Sequence, residues 1–280
     1  MSQTTTAEAK YILSPLNNRM LNYRVYYMNA TEKIGSFLLT LTLGGLAGLV
    51  FYGGLFKVDG GATLATHISN AIVFFGVGLL AARLFVPVIR NALKKKRDKT
   101  LRKQFMDFLE SLSMSLAAGN TVNDAFVNAK KDMLNQYAEN DMIVRELSEI
   151  LLGLGNGRTL EEMISAFGAR SGNEDIENFS NVMANCYRLG GDFKNVVRRT
   201  RDIIRDKIAI ADEIETKLAS NKLQYNAMCI MPLVLVAMLK VSNSDFAVNL
   251  ASGVGVVVTT IAIGIFVGAY FWGKKILNIR

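Results

Sequence analysis

The sequence is poor in the residues that build catalytic and disulfide-stabilised sites. Among 280 residues it has three prolines, one histidine, His67, and two distant cysteines, Cys186 and Cys229. The cysteines fit neither a disulfide framework nor a zinc spacing, and a single histidine excludes His-based metal clusters. The phosphate-binding pattern GxxxxGKS/T does not occur, which excludes a Walker-type ATP site. We therefore predict no catalytic residue, no metal, no cofactor and no enzymatic activity.

Four stretches almost without charge dominate the rest of the sequence. They run from Ile34 to Phe56, from Ile68 to Ile89, from Leu223 to Leu239 and from Phe246 to Gly273. Each has a length that suits a helix crossing the ~30 Å hydrocarbon core of a bilayer. Arg83 is the one charge in the second stretch, where it either snorkels to the headgroups or acts as a functional intramembrane charge. Pro232 lies in the middle of the third stretch and favours a kink there.

Two of these stretches contain closely spaced glycines. The pairs are Gly44 with Gly48 and Gly264 with Gly268, each four residues apart. Small residues at this spacing let helix backbones approach closely, so both pairs are candidate packing faces within the bundle or between subunits. Glycine as ordinary membrane filler is the alternative.

Lysine and arginine are distributed unevenly around the four stretches. The loops after the first and third stretches contain one each, Lys57 and Lys240. Clusters follow the second and fourth stretches: Arg90, Lys94, Lys95, Lys96, Arg97, Lys99, Arg102 and Lys103, then Lys274, Lys275 and Arg280. Because positive loops stay in the cytoplasm, we expect a multi-pass inner-membrane protein with both termini cytoplasmic.

These patterns divide the chain into five segments. We predict a cytoplasmic N-terminal segment over 1–33, a transmembrane pair over 34–89, a cytoplasmic helical domain over 90–222, a second transmembrane pair over 223–273 and a tail over 274–280. The N-terminal segment has no long apolar run, so no cleavable signal peptide is expected. The predicted fold class is all-α.

The central domain has helical spacing of apolar residues and no proline. Six helices are predicted: one ending at Gly119, one from Thr121, one from about Asp141 to Leu154, one from Thr159 to near Gly172, one from about Asp175 to Leu189, and one from Asp192 into the third stretch. Thr121 with Asp124 and Thr159 with Glu162 have the spacing of capping boxes. The last helix is long enough to be a stiff link to the membrane.

Two further groups of residues are functional candidates. Gly190 and Gly191 suit a turn with positive φ, and Asp192 and Phe193 begin the long helix behind it, so these four residues are candidates for mechanical coupling. Acidic residues dominate positions 139–177. Of these we select Glu146, Glu149, Glu161 and Glu162 as candidate partner-facing acids, with ordinary solvated helix faces as the alternative.

Three segments resemble the type II secretion F domain. They are FMDFLESLSMSLAAGNTVNDAF, LGLGNGRTLEEMISAFGARSG and FSNVMANCYRLGGDFKNVVRRTRDIIRDK, followed by a helix that enters a proline-containing apolar stretch. The turn from Gly190 to Val196 is the most specific part. With two apolar stretches before one such domain and two after it, the chain is similar to the TadB and TadC branch, the platform proteins of tight-adherence (Flp) pili.

The resemblance implies a non-enzymatic platform. Such a protein binds a cytoplasmic hexameric secretion ATPase and passes its motion to pilin subunits leaving the bilayer. It also implies a paralogous platform subunit and a homo- or hetero-oligomer. No nucleic-acid partner is expected, because the basic residues border the apolar stretches. The alternative is a small four-helix transporter or channel subunit, which predicts polar residues converging in mid-membrane. Arg83 is the one charged residue of the four stretches.

Overall fold

The computed structural model describes residues 9–55, 63–189 and 192–277. Two short strands precede a series of helices: β1 (Tyr11–Leu13), β2 (Arg19–Leu21), α1 (Ala30–Tyr52), α2 (Leu64–Ala117), α3 (Val122–Gln136), α4 (Met142–Gly155), α5 (Leu160–Ser171), α6 (Glu174–Leu189), α7 (Phe193–Ser242), α8 (Ser244–Leu250) and α9 (Gly253–Leu277). The chain divides into two compact units. We call Met1–Tyr27 with Arg90–Asp212 the polar unit and Met28–Ile89 with Glu213–Arg280 the apolar unit.

The polar unit encloses one hydrophobic core built on the C-terminal part of α2. The predicted stripe of this helix is buried: Phe105, Phe108, Leu109, Leu112 and Leu116. The ring of Phe105 lies 6.1 Å from that of Phe167 on α5 and 5.3 Å from that of Phe179 on α6, measured between centroids. Burial of each such ring stabilises the unit by roughly 1.5–3 kcal/mol.

The two helix starts predicted at Thr121 and Thr159 are confirmed. The backbone N–H of Asp124 donates to Thr121 Oγ1 and that of Glu162 donates to Thr159 Oγ1, both at 3.2 Å. Each side chain satisfies a donor that the first turn leaves free, which is worth about 1 kcal/mol. Gly172 ends α5 with a φ of 62°, a conformation that favours glycine.

The N-terminal segment forms an antiparallel hairpin in which Ile12 lies opposite Met20. Asn17, in the connecting turn, has a φ of 62°, which asparagine tolerates better than most residues. The prediction for this segment contains no strand, because strands of three residues are too short to show an alternating pattern. The hairpin therefore adds a small β element to a fold that is otherwise helical, as predicted.

The apolar unit contains the candidate membrane spans. Among the described residues, four helices are long and apolar enough to cross a membrane: α1, α2, α7 and α9. Large apolar side chains on them point outward, including Leu43, Leu84 and Ile265, which are 60%, 65% and 70% exposed. Apolar surface on this scale requires lipid as its solvent. The chain is a multi-pass membrane protein.

The last span begins later than predicted. The sequence favours one helix from Phe246, but α8 ends at Leu250 and α9 starts at Gly253. Ser252 explains the break, because its Oγ donates to Asn249 O at 2.7 Å and accepts from the N–H of Gly255 at 3.1 Å. A serine in this arrangement caps a new helix.

The two glycine pairs differ in their surroundings. A Cβ on Gly44 would overlap Ala81 of α2, and one on Gly48 would lie 2.9 Å from Val77 Cβ. These glycines therefore allow close packing of α1 on α2. A Cβ on Gly264 or Gly268 would meet no described heavy atom within 4 Å. Helix α7 continues without interruption through Pro232.

A lysine caps the C-terminal end of α1. Lys240 Nζ on α7 donates to the carbonyl oxygens of Leu49, Val50 and Gly53 at 3.2, 3.0 and 2.6 Å. The last carbonyls of a helix have no partner within the helix and carry the negative end of its dipole. Lys240 therefore joins two span helices through a charge-assisted contact.

Candidate functional site

The most unusual feature of the polar unit is a pair of buried glutamates on α4. Glu146 has no exposed surface and Glu149 is 7% exposed. They lie three residues apart and so share one helix face. The N-terminal hairpin and the chain that follows it supply partners to both carboxylates. We call Glu146, Glu149 and the residues that bind their carboxylates, Arg170, Tyr23, Ser14 and Asn18, the docking cluster.

Glu146 binds a cation and a hydroxyl that are also buried. Arg170 Nη2 of α5 donates to Glu146 Oε2 at 2.6 Å, and the Tyr23 hydroxyl donates to Oε1 at 3.1 Å. Burial raises the pKa of Glu146, and the Arg170 guanidinium acts in the opposite direction. Burial and the neighbouring Glu146 carboxylate also raise the pKa of Tyr23 well above its ordinary value. Glu146, Arg170 and Tyr23 are thus held together by charge and hydrogen bonds in a buried site.

Glu149 accepts hydrogen bonds from the turn of the hairpin. Ser14 Oγ donates to Glu149 Oε1 at 2.5 Å, and Asn18 Nδ2 approaches both carboxylate oxygens at 3.1 and 3.2 Å. Ser14 Oγ in turn accepts from the backbone N–H of Asn18 at 3.2 Å. The carboxylate therefore fixes the shape of the turn as well as its position on α4.

The residues after the hairpin extend the contact to α2, α5 and α6. Arg24 Nε donates to Ala169 O at 2.8 Å, and its Nη2 lies 3.2 Å from Glu177 Oε2. Arg97 Nη2 of α2 donates to the backbone oxygen of Tyr23 at 2.7 Å and stacks over the ring of Tyr26. The N-terminal segment is therefore an integral part of the helical unit.

A second buried acid connects three helices of the same unit. Asp175, in the first turn of α6, is 6% exposed. Its carboxylate lies 3.3 Å from Arg102 Nε of α2 and 2.5 Å from Lys207 Nζ of α7. Arg205 of α7 adds an exposed pair with Glu110 of α2 at 2.8 Å. Ionic contacts thus hold the N-terminal half of α7 against α2 and α6.

The prediction that Glu146 and Glu149 face a partner is wrong. Their carboxylates are buried and already occupied by Arg170, Tyr23, Ser14 and Asn18. The physical reason is that a buried carboxylate is tolerated only where donors or an opposite charge compensate it: Arg170 of α5 supplies the charge for Glu146, and the N-terminal segment supplies neutral donors to both glutamates.

Glu161 and Glu162 remain candidates for partner contact. They lie partly exposed in the first turn of α5, where Glu162 pairs with Arg158 at 3.2 Å. Their position is that of acids which favour a helix N-terminus, so they also have an ordinary structural use.

The predicted coupling turn is described only in part. Gly190 and Gly191 lie outside the described residues. Asp192 Oδ1 accepts from the backbone N–H of Asn195 at 3.1 Å, as expected of a residue that begins α7. Phe193 is buried with the hydrophobic core.

Neither the hairpin nor its docking was predicted from the sequence. The signal available was the run Ser-Pro-Leu-Asn-Asn between two short apolar segments, which is typical of a turn. Nothing in the sequence links this turn to α4. Within the described residues, His, Cys, Asp and Glu side chains form no group that could hold a metal ion.

Comparison with known proteins gives one match. Residues 108–239 match the family model described as Type II secretion system (T2SS), protein F. The matched range begins within α2 and ends within α7, so it contains the core of the polar unit and the apolar part of α7. No curated protein and no solved structure matches the chain.

Proposed function

We propose that this chain is a platform protein of a secretion or pilus machine, because residues 108–239 match the family model of the type II secretion system protein F. More specifically, it is the inner-membrane platform of a tight-adherence (Flp) pilus, of the TadB or TadC type. Its proposed partners are a cytoplasmic secretion ATPase, pilin subunits, a second platform subunit and the bilayer. Two candidate spans before the core of the polar unit and two after it support this assignment.

The continuity of helix α7 supports the proposed mechanism. Helix α7 is continuous over 50 residues and contains both the ion-paired Lys207 and the apolar residues around Pro232. A displacement of the F domain by an ATPase would therefore reach the third span unless α7 bends. The Gly190–Gly191 turn before Asp192 is the proposed entry point of that motion. The platform itself needs no nucleotide site in this scheme.

The link is tested by breaking α7 in the polar unit. Ile208→Pro removes a backbone donor, should cost about 3 kcal/mol or more and kinks the helix. We expect the variant to insert into the membrane at normal abundance while surface pilin is lost. Ile208→Ala is the matched control, because it shortens the same side chain without interrupting the helix. Normal piliation by a stably expressed Ile208→Pro protein would exclude transmission through α7.

Orientation is tested separately. The lysine and arginine asymmetry of the sequence predicts that a reporter fused after Asn140 lies in the cytoplasm and one fused after Asn243 lies on the opposite side. A cytoplasmic signal from the Asn243 fusion would contradict the proposed topology.

A further inference from the structure

A groove in the polar unit lies between the hairpin, α3 and α4. Its volume is about 450 Å³. Arg19 of the hairpin, Lys130 and Leu134 of α3, and Arg145 and Leu152 of α4 are among the residues that line it. All of them belong to one compact unit, so the groove is a feature of that unit alone.

The charge of this groove is positive and unpaired. In the described part of the chain, the side chains of Arg19, Lys130 and Arg145 form no ion pair or hydrogen bond. Two carboxylates also line the groove, but Glu149 is occupied by the hairpin turn, which leaves Glu139 as the exposed acid. The lining carries three cations against two carboxylates, a net charge of +1, and Glu149 is already bound by the neutral donors Ser14 and Asn18, so the groove attracts a negatively charged ligand.

The burial of Glu146 and Glu149 determines which charge of α4 is exposed at this groove. Helix α4 has acids at 146 and 149, but the structure turns both inward and leaves Arg145 exposed. A partner that meets this face of α4 therefore encounters a cation where the acid-rich sequence suggests carboxylates.

The same groove exposes apolar side chains. Leu134 is 41% exposed and Leu152 is 51% exposed. Leu134 lies four residues after Lys130, and Leu152 lies seven residues after Arg145, so each leucine shares a helix face with a cation. A complementary ligand would carry apolar residues beside acidic ones at a similar spacing.

We propose that this groove receives an acidic amphipathic helix of the secretion ATPase. The helix would place leucine-sized side chains on Leu134 and Leu152 and its carboxylates beside Arg19, Lys130 and Arg145. An amphipathic helix in an apolar groove is a common mode of recognition, and the charged rim would set orientation and association rate. The identity of the partner rests on the proposed function, whereas its chemistry rests on the groove.

The first measurement is binding of the purified ATPase of the same secretion system to the full-length protein in lipid nanodiscs. The double variant Lys130→Glu with Arg145→Glu should raise the Kd at least about tenfold, because attraction becomes repulsion at two rim positions. The matched control is Lys131→Glu, one residue further along α3, which is exposed and does not line the groove. We expect the control to change the Kd less than about threefold, and added salt to weaken wild-type binding.

The second measurement does not depend on the folding of charge variants. A photoreactive residue at Leu152 should crosslink to an ATPase segment in which Asp or Glu alternates with apolar residues at helical spacing. The same residue at Val182 of α6, which is equally exposed, should not. If the double variant binds the ATPase with an unchanged Kd and Leu152 gives no crosslink, the groove is not the binding site, while the proposed function remains intact. Crosslinking of Leu152 to lipid or nucleic acid would also overturn the proposal that the groove binds the ATPase. Failure of the ATPase to bind wild-type protein would overturn both proposals.

Discussion

Arg170→Met is expected to be the most damaging single change in the docking cluster. It removes the guanidinium that lies 2.6 Å from Glu146 and leaves a carboxylate that has no exposed surface with the Tyr23 hydroxyl as its remaining donor. Breaking a buried ion pair by removing one partner costs about 3–5 kcal/mol. A loss of this size is a large part of the roughly 5–15 kcal/mol that stabilises an ordinary domain.

The pH dependence of this loss identifies its cause. Burial already raises the pKa of Glu146, and without Arg170 nothing comparable opposes that effect. A carboxyl with a raised folded pKa contributes stability below its unfolded pKa of about 4.3 and loses it as pH rises through the folded pKa. The variant should therefore be close to wild type near pH 4 and progressively weaker toward neutral pH.

Hydrogen exchange of α4 and α5 amides in nanodiscs is the suitable assay, because a protein with two units need not unfold in one step. At neutral pH we expect exchange to accelerate roughly 10²- to 4 × 10³-fold, since a factor of ten corresponds to about 1.4 kcal/mol. Adding Glu146→Gln should restore much of the protection by removing the stranded charge. The control is Arg158→Met, which removes an exposed pair worth about 0.5 kcal/mol or less. Exchange of Arg170→Met within about threefold of wild type at neutral pH would refute the reasoning.

Three other outcomes are expected. Tyr23→Phe should cost about 1.5–3 kcal/mol through the lost hydrogen bond to Glu146. Because the pKa of Tyr23 is raised above its ordinary value of about 10, this stabilisation should be present below pH 10 and lost as pH rises through the raised pKa, which ultraviolet titration of wild type and variant checks. Lys240→Met should raise the rate of hydrogen exchange at the end of α1 by about tenfold or more, because three carbonyl oxygens lose a charged donor. An unchanged rate would show that water or lipid replaces the lysine ammonium. Gly44→Val should lower the yield of folded membrane protein through a clash with Ala81 worth about 1–3 kcal/mol, whereas Gly264→Val, in open space, should not; equal yields would argue against close α1–α2 packing.

Much of the fold is encoded locally and could be predicted from the sequence. Thr121 and Thr159 begin helices because a hydroxyl at that position satisfies an N–H two or three residues on. The stripe from Phe105 to Leu116 is buried because its spacing places it on one helix face. The candidate spans follow from uncharged length, and the F-domain resemblance from three contiguous motifs. The break before α9 was not predicted, because a serine within an apolar stretch does not mark a helix start by its sequence. Its hydrogen bonds to Asn249 O and from Gly255 N–H, which make it a cap, are visible only in the structure.

Most helices, several of their starts, the number of candidate spans and the resemblance of the central segment to the F domain could be predicted, because each depends on residues close together along the chain. The role of the acids of α4 depends instead on contacts between distant parts of the chain. Glu146 is 123 residues from Tyr23, and Glu149 is 135 residues from Ser14. Periodicity places both glutamates on one face of α4, but whether that face meets solvent depends on the distant segment that covers it. The buried acids and the basic groove beside them both result from that long-range contact.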